Sequence, residues 1–227
     1  MSDKNEVLAW HFLPDDRNLQ WGSRELVVPG KKITVEPPLV LCHHGLHASE
    51  KILDALDYAP GSVACRVLVS GQILNGSDKL CATERTCLWM VDGAETLHEF
   101  ACWCAEEVLL RERSRGREPN KACWEAIRVK RAWLSGLATD IELATALAAA
   151  QHIAWSTSQA TAWAAAWATA WAAAADWATS WAIAQAAAWA AARAADWAAA
   201  REKQESRLVE MIESLNKKEN ACDNVSN

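Results

Sequence analysis

No glycine and no proline follow Gly136 in this chain of 227 residues. Those two residue types break helices most strongly, so their absence excludes a turn-rich organisation from the C-terminal part. Tyrosine and phenylalanine are scarce too, with one Tyr and two Phe against 14 Trp. Aromatic packing must therefore come almost entirely from tryptophan. No Asp, Glu, Lys or Arg occurs between Leu143 and Ala175. The stretch still holds Thr145, Gln151, His152, Ser156, Thr157, Ser158, Gln159, Thr161 and Thr169. Its alanines add little to insertion, so no membrane span is expected. Met1–Glu6 is polar and no apolar stretch of signal-peptide length follows, so no export signal is expected. The eight cysteines are accordingly expected as free thiols in a reducing, cytoplasmic compartment. Excess positive charge is lacking as well. The net charge is −6, which speaks against nucleic acid as a partner.

What fills the C-terminal part is alanine, from Thr139 to Ala200, with tryptophan at intervals. Alanine is the best helix former, and a recurring indole needs a surface to pack on. Advancing about 100° per residue from Trp155 places Trp163, Trp167, Trp171, Trp177, Trp181 and Trp189 within an arc of about 120°. Trp155 and Trp197 fall on its two flanks. A single helix from Thr139 to Leu215 would span on the order of 115 Å at 1.5 Å per residue. The segment therefore either folds back into a bundle or pairs with another copy. These eight tryptophans are the expected helix-packing or partner-binding set.

The first 92 residues read differently. Short apolar runs alternate with turn signals, giving expected strands at Glu25–Val28, Ile33–Val35, Leu39–Cys42, Val63–Val69, Gln72–Leu74 and Thr86–Val91. One helix is expected after Ser49 as N-cap, with Ile52, Leu53 and Leu56 at helical spacing. Past Asp92-Gly93 the period becomes helical. Ala94–Arg113 puts Leu97, Phe100, Ala101, Cys104, Val108 and Leu109 on one face. A second helix runs from Asn120 to Ser135 and stops at Gly136. Thr139-Asp140-Ile141-Glu142 reads as a capping box opening a third. The fold class is α+β, with a small mixed or antiparallel sheet domain over 1–92. An all-α, Ala/Trp-rich domain follows over 93–219, as a bundle or a long helix, and a disordered tail over 220–227.

Chemistry-bearing motifs are thin. Cys42-His43-His44-Gly45-Leu46-His47 offers Cys42 with His44 or His47 as metal ligands. A second pair would be Cys102-x-Cys104, or Cys81 with Cys87, and neither has the usual spacing. No metal is expected. Cys42 with His11 is an unspecific candidate for a nucleophilic pair. Arg111, Arg113, Arg115, Arg117, Lys121, Arg128, Lys130 and Arg131 form a basic stretch. Glu112, Glu118 and Glu125 interleave it, so it reads as a solvated helix-loop surface.

Two family resemblances can be placed on particular residues. The first rests on Cys42-x-x-Gly45-Leu46-His47-Ala48, the helix after it, Tyr58, and Cys65–Val69 with Gly71-Gln72-Ile73. Through these, residues 10–91 resemble an uncharacterised domain of phage and prophage proteins. The same stretch is loosely similar to the ADP-ribosyltransferase fold. That resemblance implies an NAD pocket, with His11 as the first-strand His, His47 in the turn, Tyr58 downstream and Glu84 as the candidate catalytic Glu. Phe12 stands where that family has a Gly after the His, and His47 stands where it has a Tyr.

The second rests on Leu97–Glu106, Trp124–Ile127, Ala132–Gly136 and Thr139–Glu142. Through these, residues 97–200 resemble an Ala-rich helical family of immunity proteins from bacterial toxin loci, which implies binding to a partner without catalysis. The resulting expectation is a non-enzymatic, phage- or prophage-type interaction protein, immunity- or anti-defence-like. It would bind a protein or self-associate through the Ala/Trp helices in a bacterial host cytoplasm, without a cofactor. The alternative is a nucleotide- or NAD-binding, ADP-ribosyltransferase-like enzyme or a degenerate relative, using His11, His47, Tyr58 and Glu84.

Overall fold

The computed structural model describes residues 6–20, 24–156 and 195–225. It is α+β: an antiparallel sheet followed by helices. The chain forms two compact units. One comprises Met1–Gly93 together with Leu208–Asn227, and the other Ala94–Arg207.

In the first unit the strands are β1 (Val7–Leu13), β2 (Lys32–Thr34), β3 (Leu46–Ala48), β4 (Val63–Asn75) and β5 (Leu80–Asp92), with a short helix α1 (Ile52–Leu56) between β3 and β4. β4 and β5 form a long hairpin turned at Gly76–Lys79, where the Gly76 N–H donates to the Lys79 carbonyl at 2.7 Å. β1 pairs with the outer edge of β4, and β2 and β3 both pair with the other edge of β5. Just past β3, Ser49 exchanges two backbone hydrogen bonds with Trp10 of β1, at 2.7 and 3.0 Å. The path β1–β4–β5–β3 therefore curls back onto its own first strand, which leaves less open edge. Bulges at Arg66/Val67 and Ser70/Ile73 supply the bend.

Ala9, Leu13, Val63, Cys65, Val67, Val69, Leu80, Ala82 and Cys87 share the inner face and build the core with Leu46, Ala48 and Ile33. Each fully buried large apolar side chain contributes about 1.5–3 kcal/mol. Trp10, Arg66 and Trp89 line up across β1, β4 and β5 in the register. The two indoles meet edge to face at 5.7 Å, and the Arg66 guanidinium lies 4.4 Å from the Trp10 ring centre. Gly61 lets the chain turn into β4: a Cβ there would sit 2.4 Å from the Pro14 Cα.

Several local expectations need correction. Ser49 is no helix cap; it is buried and paired with β1, and α1 starts at Ile52 behind Lys51, which makes no side-chain cap bond. Leu39–Cys42 is a turn closed by the Val40–His44 bridge, and only Leu26 of Glu25–Val28 makes a bridge, to Asn18. Val63–Val69 and Gln72–Leu74 are one strand, because the Ser70-Gly71 signal marks a bulge and not an end. β1 is implied by the family resemblance, through His11, but not by the apolar pattern. Its burial on both faces removes the alternation that marks a strand.

The second unit contains α2 (Ala94–Ser114), α3 (Lys121–Leu134) and α4 (Asp140–Ser156). The apolar face expected on α2 is buried in full. The basic stretch is largely neutralised within the unit. Arg117 forks onto the buried Glu112 carboxylate at 2.6 and 2.8 Å, Arg113 pairs with Glu118, and Arg128 with Glu125. Arg131 of α3 reaches Glu99 and Glu106 of α2 at 2.9 Å each. Gly136, at φ +69°, ends α3 in the left-handed conformation.

α5 (Ala195–Val225) runs past the expected tail boundary at Asn220. No glycine or proline interrupts it, and the Asn220 amide donates to Asn216 one turn back at 3.2 Å. Its Leu208–Asn227 part is grouped with the sheet-containing unit, and its Leu208 and Ile212 are fully buried. Among the described residues no helix is long and apolar enough to cross a membrane. Trp163, Trp167, Trp171, Trp177, Trp181 and Trp189 lie outside the described residues. So do the side chains of Trp155 and Trp197, whose backbones are helical.

Candidate functional site

A cavity of about 540 Å³ opens in the first unit. Its walls come from β1 (Trp10, His11), the turn before β3 (Cys42, His43), β3 itself (His47), Ser49, Tyr58 and Pro60 after α1, Lys79 in the hairpin turn, and Arg85 of β5. Three of the four residues singled out in the sequence, His11, His47 and Tyr58, therefore meet on one cavity.

Glu84 does not line it. It stands opposite Thr34 and Ser70, and its Oε2 lies 2.6 Å from Lys32 Nζ and accepts from Ser70 Oγ at 2.8 Å. Its neighbour Arg85 stands opposite the core residues Ile33 and Val69 and points the other way.

His47 is fully engaged. Its Nε2 accepts from the Cys42 N–H at 3.0 Å, so the neutral ring carries its proton on Nδ1. A hydrogen bond to the Gly45 backbone favours the charged form, but burial outweighs it and the pKa falls below the usual histidine value. The ring thus pins the turn from Cys42, whose φ of +67° is left-handed, to the start of β3. His44 does similar work beside it, with Nε2 2.6 Å from the Glu36 carbonyl. These two histidines hold backbone, and among the described residues no group of three or more His, Cys, Asp or Glu could hold a metal.

His11 is different. It stands opposite Cys65 on the inner face, lines the cavity, and has no side-chain hydrogen bond among the described residues. Burial, then the nearby Arg85 and His47, hold its pKa well below the ordinary 6.5. Its imidazole is neutral and available.

Arg85 is 3% exposed. Nη1 donates to the His47 carbonyl at 2.5 Å, and among the described residues no carboxylate pairs with it. Burial lowers its pKa to about 10, so it remains a cation at neutral pH. Lys79 sits at the rim with Nζ 3.7 Å from the Tyr58 ring centre. The Tyr58 hydroxyl donates to Asp78 Oδ2 at 2.5 Å, a bond that pushes its pKa up.

Among the described residues the lining thus holds two cations, three histidines and no carboxylate, in a chain whose net charge is −6. Arg85 and Lys79 carry that character, and sequence reading missed both. Inward positions of β5 are even-numbered at Leu80 and Ala82 and odd-numbered at Arg85 and Cys87. The bulge shifts the phase, so a strict period-two pattern puts Arg85 on the wrong face.

Residues 16–99 match a family model described as a domain of unknown function (DUF7666). The match spans the Cys42–His47 turn, Tyr58, Lys79 and Arg85 and begins after β1. No curated protein and no solved structure matches the chain.

Proposed function

We propose that the sheet-containing unit binds a small anionic ligand of the nucleotide class, NAD being the one that the ADP-ribosyltransferase-like resemblance suggests. The observation that carries this is the lining: two cations and three imidazoles, without a carboxylate among the described residues, around a volume in the range of small-molecule sites. A low-dielectric wall with one sign of charge attracts the opposite sign. The proposal stops at binding, because Glu84 is turned away from the cavity and His47 is committed to backbone.

Thermal-shift and calorimetric titration of the full chain with NAD, ADP-ribose and mononucleotides test this reading. At least one should raise the melting temperature, and His11→Ala should weaken it about tenfold, the scale of one lost hydrogen bond to a charged group. Absence of a shift with every nucleotide would remove the reading.

A second reading concerns residues 139–200. Their tryptophan spacing supports protein binding or self-association of the immunity or anti-defence kind in a phage- or prophage-type protein.

A further inference from the structure

Arg85 is the most unusual group in the cavity. A guanidinium buried to this degree is ordinarily paired with a carboxylate or with several carbonyls, because removing its charge from water is costly. Here the recorded bond is one backbone carbonyl, His47 O, taken by Nη1. The other titratable groups around it are His11 from β1, His47 from β3, Cys65 from β4 and Cys87 from β5, none of them a carboxylate; a hydrogen bond from Cys65 and the Arg85 charge lower the pKa of the Cys87 thiol. The remaining guanidinium donors lie in a fixed plane on the cavity wall beside the unpartnered His11 ring.

We infer that the inner wall of the cavity is an oxyanion subsite, where Arg85 takes two oxygens of a ligand phosphate or carboxylate through its free N–H donors and His11 donates to a third position or to the same group. A planar fork matches two oxygens of one anion in a way that a lysine ammonium does not. The His47 carbonyl fixes the fork's orientation in advance, and the Cys42–His47 turn fixes that carbonyl. Lys79, at the rim, adds attraction without geometry. This rests on the reading of the cavity as a ligand site and specifies which end of the ligand enters first.

The test compares four probes on the full chain at constant ionic strength: inorganic phosphate, acetate, a nucleotide and its uncharged nucleoside. Phosphate or acetate should raise the melting temperature where chloride does not, and whichever does so names the oxyanion. The same anion should compete with the nucleotide, and the nucleoside should bind at least tenfold more weakly. Arg85→Lys, which keeps the charge and loses the fork, should weaken the anion by about tenfold or more. Lys79→Gln should cost no more than a few-fold, as a half-buried charge at the rim without a fixed fork does.

Nucleotide and nucleoside binding equally well, with neither anion acting, would overturn the subsite and leave the nucleotide reading standing. Phosphate binding that depends on Arg85, with no nucleotide binding, would do the reverse. An Arg85→Lys chain that keeps its circular dichroism spectrum and binds the anion as before would also overturn it. Should that variant not fold, the wild-type probes decide alone.

Discussion

His11 and His47 stay uncharged in the folded chain because burial penalises their imidazolium forms. Both pKa values lie below the unfolded value of 6.5, so in the window beneath it the unfolded chain binds more protons than the folded one. Stability is then full above about pH 6.5 and declines as pH falls through that window. The slope reaches at most about 1.4 kcal/mol per pH unit for His11. It is smaller for the half-exposed His47, where solvent screens the charge. Urea unfolding at pH 7 and pH 5 should show the loss, and His11→Asn should flatten it. Bound anions act in the opposite direction. By favouring the charged rings, an anion in the cavity should bind more tightly at pH 5.5 than at pH 7.5, which titration calorimetry reads directly.

Helices α3 and α4 show how far local rules carry. Asn120 Oδ1 accepts the Ala122 N–H at 2.9 Å and caps α3. At the next start, Thr139 Oγ1 accepts the Glu142 N–H at 3.2 Å while Glu142 Oε2 takes the Thr139 N–H at 2.8 Å. Thr139→Ala should cost about 1 kcal/mol, measured by urea unfolding, and the Glu142 carboxylate should titrate only part of the way back toward its ordinary range, because the backbone N–H at 139 that lowers it most is retained. The Thr139–Glu142 box was legible because it depends on residues three apart, and so was the α2 face, which depends on its own period. The strand expectations at Leu39–Cys42 and Glu25–Val28 failed because strands are defined by partners elsewhere in the chain. Ser49 shows the same conflict: its local chemistry suits a cap, but the backbone of β1 claims it first. Of the candidate site, His11, His47 and Tyr58 were legible through the family resemblance. Arg85 was hidden by a bulge that no local signal located.

At the scale of the whole molecule the chain divides into two compact units that the sequence boundary at Asp92-Gly93 separates well at one end only. The interaction reading of residues 139–200 makes a prediction here. Replacing Trp163, Trp167 and Trp171 by Ala in the full chain should lower the solution mass of any self-assembly, or abolish partner capture, in multi-angle light scattering. A strictly monomeric parent chain that captures nothing would end that reading. Deleting residues 139–215 is the wrong experiment, because it also removes Leu208 and Ile212, which are fully buried.

That last helix has a consequence for how the protein is made. Leu208–Asn227 is grouped with a sheet whose strands all precede Gly93. During synthesis those strands leave the ribosome more than a hundred residues before the helical segment grouped with them. The core between the strands is therefore complete in sequence long before the last helix is translated. A chain ending before Leu208 would keep every strand and lose only the buried Leu208 and Ile212 side chains from that unit.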